Sequence, residues 1–104
     1  MRHIILIDEK VTMHQAISDK EGIAIYDAIL SKLHEGEEIE LDFQGIIMMT
    51  TAFLNVVIGQ LYKDYTSDFL REKIFFKNIT SDFARRIKDV TDNAKLFYKD
   101  QDVF

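Results

Sequence analysis

The chain has 104 residues, no cysteine and a formal net charge of -5 at pH 7. A chain of this length predicts a single domain, which we take to span residues 1–104. The lack of cysteine excludes disulfides, thiolate nucleophiles and zinc sites with cysteine ligands. The acidic balance argues against a broad nucleic-acid surface, which needs clustered basic residues. No apolar run approaches the ~18 residues of a membrane span, so a soluble, cytoplasmic protein is expected.

The first third of the chain predicts a strand, a weak second strand and a helix. Residues 2–7 form a short apolar run that ends in charge, and residues 10–16 alternate weakly between polar and apolar. Ser18 begins a capping-box pattern, so we expect a helix from there to about Leu33. Gly36 is its expected left-handed cap. The long stretch before this helix has room for a hairpin, in which case the first strand would be antiparallel.

The middle of the chain predicts a strand, a turn and a second helix. Residues 37–43 alternate between acidic and apolar side chains, which is typical of a strand. A turn at Gly45 and a short apolar bridge follow. The helix is expected to begin at Thr50 or Thr51 and to end near Tyr65. It is apolar on most sides, which indicates that it is central in the domain or partly covered by a partner.

The last third predicts one strand and one long helix. Residues 72–77 form the strand. The helix carries an apolar stripe at steps of three and four, made by Phe83, Ile87, Val90, Ala94 and Phe97. We expect the tail from Asp100 to Phe104 to be frayed. Strands and helices that alternate with short connections predict an α/β fold with a mainly parallel sheet.

The two threonines at the start of the second helix are the first candidate site. A helix N-terminus leaves backbone N–H groups unpaired, and a Thr there caps the helix. The same position also favours an anion such as a phosphate. From the residues alone, the capping interpretation is the favoured one for Thr50 or Thr51, because Ser and Thr are common capping residues.

The acidic residues at strand ends suggest a second candidate site. Asp8 and Glu9 end the first strand, and Asp42 lies near the end of a later one. Carboxylates at the carboxyl edge of a parallel sheet could accept a phosphoryl group and bind Mg²⁺, as in a receiver domain. Solvated strand-end acids are the favoured alternative. The three histidines share no ligand spacing, and no catalytic set, metal site or cofactor motif is recognisable.

A family resemblance extends this interpretation. The motif is Leu-Asp-Phe-Gln-Gly-Ile at 41–46, Thr-Thr-Ala at 50–52 and Phe-Leu-Asn at 53–55. As a unit it resembles the STAS domain of sulfate transporters and anti-sigma-factor antagonists, and more narrowly a STAS-like bacterial family of unknown function. The resemblance covers about residues 18–95. It implies a STAS-like α/β fold with about four mostly parallel strands and three helices mainly on one side of the sheet.

The resemblance also implies a regulatory, non-enzymatic protein-interaction module. Anti-sigma-factor antagonists bind an ATPase of the histidine-kinase type, which phosphorylates a Ser or Thr at the N-terminus of their second helix. Aligning their Phe-Met-Asp-Ser-Ser-Gly-Leu motif with residues 48–54 places the acceptor at Thr51. Thr50 then stands where the antagonists have Asp, and Phe53 stands where they have Gly.

The resemblance implies a partner-binding surface around the turn and the second helix. Its candidate residues are Gly45, Met48, Met49, Thr50, Thr51, Phe53 and Asn55. No cofactor, metal, nucleic acid or membrane partner is implied, and a homodimer is compatible with the sequence. Two alternatives remain open. One is a constitutive interaction or dimerisation module in which the threonines only cap the helix, and the other is the receiver that uses Asp8, Glu9 and Asp42.

Overall fold

A computed structural model describes residues 2–102, with side chains described for residues 2–98. In chain order the elements are β1 (Arg2–Leu6), β2 (Gln15–Ala16), α1 (Asp19–His34), β3 (Glu38–Asp42), β4 (Met48–Met49), α2 (Thr51–Val57), α3 (Ser67–Lys73), β5 (Ile74–Lys77) and α4 (Ser81–Asp102). Short 3-10 helices at Ile7–Glu9 and Gly59–Lys63 follow β1 and α2. The α4 backbone includes the first part of the tail expected to be frayed, and residues 103 and 104 lie outside the described part of the chain.

The strands form two small parallel sheets. β3 is the central strand of the larger sheet, whose order is β1-β3-β5. β2 and β4 form a separate pair, the β2–β4 ribbon. The prediction of a mainly parallel α/β fold is confirmed, but the single sheet of about four strands is wrong. The antiparallel first strand is also wrong, because β1 runs parallel to β3.

The two faces of the larger sheet differ in exposure. Ile5, Ile39 and Leu41 point to one face and are almost fully buried. α1 packs against β3 and α2, and α4 packs against α2 and the Gly59–Lys63 segment. On the opposite face Ile4 is 54% exposed and Leu6 is 40% exposed. We name this second surface the open face of the sheet.

One buried charge lies on the open face. Glu40 is only 7% exposed, although its neighbours on the adjoining strand are open to solvent. Arg2 Nη1 donates to Glu40 Oε1 at 3.2 Å, and the Arg2 guanidinium lies 3.9 Å from the centre of the Phe75 ring. Arg2 therefore both pairs with the carboxylate and covers it against water.

Local sequence signals explain most of the helix boundaries. Ser18 Oγ accepts a hydrogen bond from the Glu21 N–H at 3.3 Å, which confirms Ser18 as the cap, whereas the Glu21 carboxylate accepts from Thr12 Oγ1 at 2.7 Å and does not complete the capping box. Gly36 has φ +80°, which confirms the left-handed cap of α1. Thr66 Oγ1 accepts from the Phe69 N–H at 3.1 Å and begins α3, which the sequence analysis missed. The described chain therefore has four helices where three were predicted.

The segment before α1 holds a tight turn in place of the predicted strand over residues 10–16. The Gln15 N–H donates to the Thr12 carbonyl at 3.1 Å. The two central residues, Met13 and His14, have φ of 57° and 60°. Positive φ at both central positions is the signature of a type I′ turn. The strand begins only at Gln15, after this turn.

None of the helices within residues 2–102 combines the length and hydrophobicity that a bilayer crossing requires.

Candidate functional site

The two threonines at the start of α2 have different roles. Thr50 is the N-cap residue, and its Oγ1 accepts a hydrogen bond from the Phe53 N–H at 3.1 Å. Thr51 is the first residue of the helix and is exposed. The cap is therefore Thr50, and the Thr51 side chain lies on the surface beside it.

A cationic side chain lies next to the start of α2. Arg86 on α4 donates from Nη1 to the Met49 carbonyl oxygen at 2.8 Å. Its Nε lies 3.2 Å from Asp82 Oδ2, one turn earlier on the same helix. These two contacts hold a guanidinium beside the residue that immediately precedes Thr50. An anionic group at this end of α2 would have a positively charged neighbour.

Exposed apolar side chains surround the β2–β4 ribbon. In the ribbon Gln15 pairs with Met48, and the Ile47 N–H donates to the His14 carbonyl at 2.9 Å. The Thr50 N–H donates to the Ala16 carbonyl at 3.1 Å, which connects the ribbon to the start of α2. The large apolar side chains that remain exposed along these segments are Met13, Ile17, Ile47 and Met48. We name this group the ribbon patch.

The turn after β3 is fixed by a contact with the segment that follows β1. Gly45 has φ +88°, a conformation that favours glycine. A Cβ atom at Gly45 would lie 2.9 Å from Asp8 Oδ2. Asp8 Oδ1 in turn lies 2.7 Å from His14 Nδ1. Gly45 therefore allows the turn to pack against the Asp8–His14 pair that lies at the base of the ribbon.

The structure separates the predicted partner-binding residues into two groups. Gly45, Met48, Thr51 and Asn55 are exposed, and Thr50 is half-buried. Met49 and Phe53, in contrast, are 1% and 0% exposed. The prediction that Met49 and Phe53 contribute to a binding surface is corrected, because both side chains pack inward and belong to the core.

The sequence analysis did not identify three members of the ribbon patch, Met13, Ile17 and Ile47. Ile47 lies in a run of consecutive apolar residues, but alternation did not indicate its exposure, because Ile47 and the next residue, Met48, are both exposed. Ile47 precedes β4, so the alternation of a strand does not apply to it. Met13 carries no sequence signal either, because its exposure results from the left-handed turn conformation.

The three acids of the receiver alternative make separate contacts. Asp8 pairs with His14, and Glu9 is exposed. Asp42 Oδ1 accepts from Asn78 Nδ2 at 2.8 Å and from the Gln44 N–H at 2.9 Å.

The Asn78 side chain, followed by the Gln44 N–H, lowers the pKa of the Asp42 carboxyl below its usual value. Within the described residues, no three His, Asp or Glu side chains are grouped to hold a metal ion. Asp8, Glu9 and Asp42 are therefore not grouped into the acidic metal-binding site that a receiver domain requires.

The comparison with known families agrees with this architecture. The profile of a STAS-like domain of unknown function (DUF4325) matches residues 21–84, which include most of α1 and all of β3, β4, α2, α3 and β5. No curated protein and no solved structure matches the chain. Since the match covers more than half of the sequence, the chain belongs to the family of STAS-like domains of unknown function.

Proposed function

We propose that this STAS-like domain is a regulatory protein-interaction module whose partner docks on the ribbon patch beside Thr51. The observation that supports the proposal is the position of exposed apolar side chains on the ribbon, directly before an accessible hydroxyl at the start of α2. Apolar groups clustered on a domain surface mark interaction sites. The two methionines of the patch suit such a role, because their unbranched side chains adapt to the shape of a partner.

The strained turn supports the same location. Met13 and His14 both adopt the left-handed conformation, which costs roughly 1–2 kcal/mol for each non-glycine residue. Strain of this kind clusters at functional sites, where the surrounding structure maintains it. Here the turn holds Met13 at 74% exposure, beside Ile47 at 70%. The strained turn exposes the apolar Met13 side chain to solvent, and this exposure does not stabilise the isolated domain.

The finer part of the proposal is that phosphorylation of Thr51 by an ATPase of the histidine-kinase type regulates docking. A phosphate adds about -1.5 to -2 charge at neutral pH. At Thr51 it would lie close to Met48 of the ribbon patch and near the Arg86 guanidinium. Pairing with Arg86 would retain the phosphate at the edge of the patch, where a charged group opposes burial against an apolar partner surface.

The test uses a histidine-kinase-type ATPase encoded in the same genome, incubated with the domain and ATP. We expect mass spectrometry to locate one phosphate on Thr51, and Thr51→Val to abolish it. Ser81→Ala is the matched control, because Ser81 is an exposed hydroxyl residue at the first position of a different helix, α4. Phosphate on other residues, or none with any such ATPase, would contradict the finer proposal.

Binding is tested separately with variants of the patch. Met48→Asp should weaken the complex at least tenfold, since it introduces a charge into the apolar contact. Ile23→Asp is the control, because Ile23 is 50% exposed on α1, outside the patch. Equal affinity for both variants would show that the partner docks elsewhere.

A constitutive module is the second candidate, and the cap hydrogen bond of Thr50 favours it. That bond gives one of the two threonines a structural role without any modification. The regulated and the constitutive module differ in how their binding to the partner responds to a negative charge at position 51. If Thr51→Glu binds the partner as tightly as Thr51→Ala, the module is constitutive.

A further inference from the structure

The larger sheet has two outer edges. Within residues 2–102, β1 and β5 each pair only with β3. The backbone groups on the far side of each strand therefore lack a strand partner in the described chain. Such an edge can add another strand by backbone hydrogen bonding, and proteins protect edges that must stay free.

The β5 edge is protected by charge. Lys73 directly precedes β5, and Lys77 is its last residue. If two copies of β5 paired antiparallel about Phe75, Lys73 of each would face Lys77 of the other. Like charges directly opposite each other on paired strands are destabilising, and lysines are a common means of guarding an edge.

The β1 edge has no such protection. Residues 3–7 read His-Ile-Ile-Leu-Ile, with no Lys, Pro or acidic residue. On the open face, Ile4 and Leu6 expose about half of their side chains to solvent. A strand of this composition with an unpaired edge is a site of association unless another strand covers it.

The antiparallel register of β1 with a second copy brings no like charges opposite each other. Pairing over the whole length of Arg2–Leu6 places Ile4 opposite Ile4 of the second copy, and Arg2 opposite Leu6. The charges at the ends of the strand are already paired within their own chain, Arg2 with Glu38 and Glu40, and Asp8 with His14. The side chains that face each other at the axis are therefore apolar, which distinguishes β1 from β5.

We propose that a second copy of this chain pairs antiparallel with the outer edge of β1, about a two-fold axis at Ile4. The two three-stranded sheets then form one continuous sheet with β5 at both ends. The two Ile4 side chains contact each other across the axis and lose their exposure to solvent. No residue of the ribbon patch belongs to β1, so different variants test the dimer and the docking function.

In the first experiment a lysine replaces Ile4, so that two like charges would face each other at the two-fold axis of the dimer. Ile4 is the register partner of Glu40. In the monomer, a lysine at position 4 would lie beside this carboxylate, which also pairs with Arg2. Because Ile4 is 54% exposed, we expect the Ile4→Lys monomer to fold. In the dimer the same lysine faces its own copy. Ile47→Lys is the matched control, because it makes the same change at an exposed isoleucine of the ribbon patch.

Sedimentation velocity over a range of protein concentrations measures the outcome. As the protein concentration increases, the apparent mass of the wild-type protein and of Ile47→Lys should both rise from that of the 12.2 kDa monomer to twice that value. Ile4→Lys should stay monomeric over the same range. A wild-type protein that is monomeric throughout would overturn the proposal, and so would an Ile4→Lys variant that dimerises like the wild type. Assemblies that grow beyond the dimer would also overturn it, because they indicate open-ended pairing of β1 with β5.

A second experiment uses the lack of cysteine in the chain. The Cβ atoms of residues directly opposite on antiparallel strands lie about 4.5–5.5 Å apart, close to the separation that a disulfide spans. Oxidation of Ile4→Cys should therefore give a covalent dimer in high yield, and oxidation of Ile47→Cys should give little. Equal yields from the two variants would exclude an axis at Ile4, even if Ile4→Lys fails to fold.

Discussion

Replacing Gly45 by alanine tests whether the turn after β3 depends on its contact with Asp8. Two effects should destabilise this variant. The first is the backbone conformation, because φ is +88° and a left-handed non-glycine residue costs roughly 1–2 kcal/mol. The second is steric, because the new Cβ would lie 2.9 Å from Asp8 Oδ2 and 3.3 Å from its carboxyl carbon.

The steric effect has an upper limit that the structure defines. Asp8 can turn away from the new methyl group, but it then loses its contact with His14 at 2.7 Å. An exposed pair of this kind contributes at most about 1 kcal/mol. We therefore expect Gly45→Ala to lower the free energy of unfolding by about 1–3 kcal/mol, of which at most about 1 kcal/mol is steric.

The assay is urea denaturation at pH 7, with Gly36→Ala as the matched control. Gly36 has φ +80°, but a Cβ atom there would have no neighbour within 4 Å. The control therefore reports the backbone cost alone, about 1–2 kcal/mol. The difference between the two variants measures the contact with Asp8.

A double variant decides between this explanation and others. Asp8→Ala removes the carboxylate that the Cβ of alanine 45 would meet, so it should make Gly45→Ala no more costly than Gly36→Ala. If Gly45→Ala is as mild as Gly36→Ala when Asp8 is present, or if Asp8→Ala gives no relief, the reasoning about the turn is refuted.

Three further predictions concern stability. Thr50→Ala removes the cap of α2 and should lower the free energy of unfolding by about 1 kcal/mol in urea denaturation, and Thr50→Ser should restore most of it. Arg2→Ala leaves the Glu40 carboxylate buried without its cation and should cost about 2 kcal/mol, which Glu40→Gln in the same chain should partly recover. For Asp42, the lowered pKa means that its stabilising contribution is present above the unfolded pKa of about 3.9 and is lost as the pH falls through the folded value. A carboxyl titration followed by NMR should give an Asp42 pKa below the usual range, and Asn78→Ala should raise it; an unchanged pKa in that variant would show that the Asn78 hydrogen bond does not cause the shift.

Elements with local signals could be predicted from the sequence. The Ser18 cap and the left-handed Gly36 depend on neighbouring residues, and both are present in the structure. The apolar stripe of α4 is buried from Phe83 to Ala94, but Phe97, its last predicted member, is 59% exposed.

The same local rules would have identified α3, because Thr66 caps it, Asp68 lies in its first turn and Arg71 in its last. No element was predicted between the helix expected to end near Tyr65 and the strand expected from residue 72, although these signals lie there.

Elements that depend on distant contacts could not be predicted. The run that contains Met48 was read as a bridge because it becomes a strand only by pairing with Gln15, which lies in a separate part of the chain. The predicted helix from Thr50 ends at Val57 and continues as a 3-10 helix. Gly59 is buried in that segment, with Val90 of α4 3.7 Å from the position of an added Cβ. Close packing of this kind is a tertiary effect that periodicity does not report.

The residues of the predicted site lie partly on the surface and partly in the core. The motif that resembles STAS domains indicated the start of α2, where Thr51 and Met48 are exposed. It also included Met49 and Phe53, whose burial follows from the alternation of the ribbon and from the inward face of α2. A family motif contains residues that maintain the fold as well as residues that bind, and the sequence alone does not separate the two.

The central position of β3 has a consequence for the order of folding. Both of its neighbours are parallel, so each reaches it through a crossover and no local hairpin can start the sheet. Arg2 pairs with Glu38, 36 residues later in the chain. At ribosomal rates of about 5–20 residues per second, β1 waits roughly 2–7 seconds for its partner strand. During that time the apolar strand has neither edge paired with another strand.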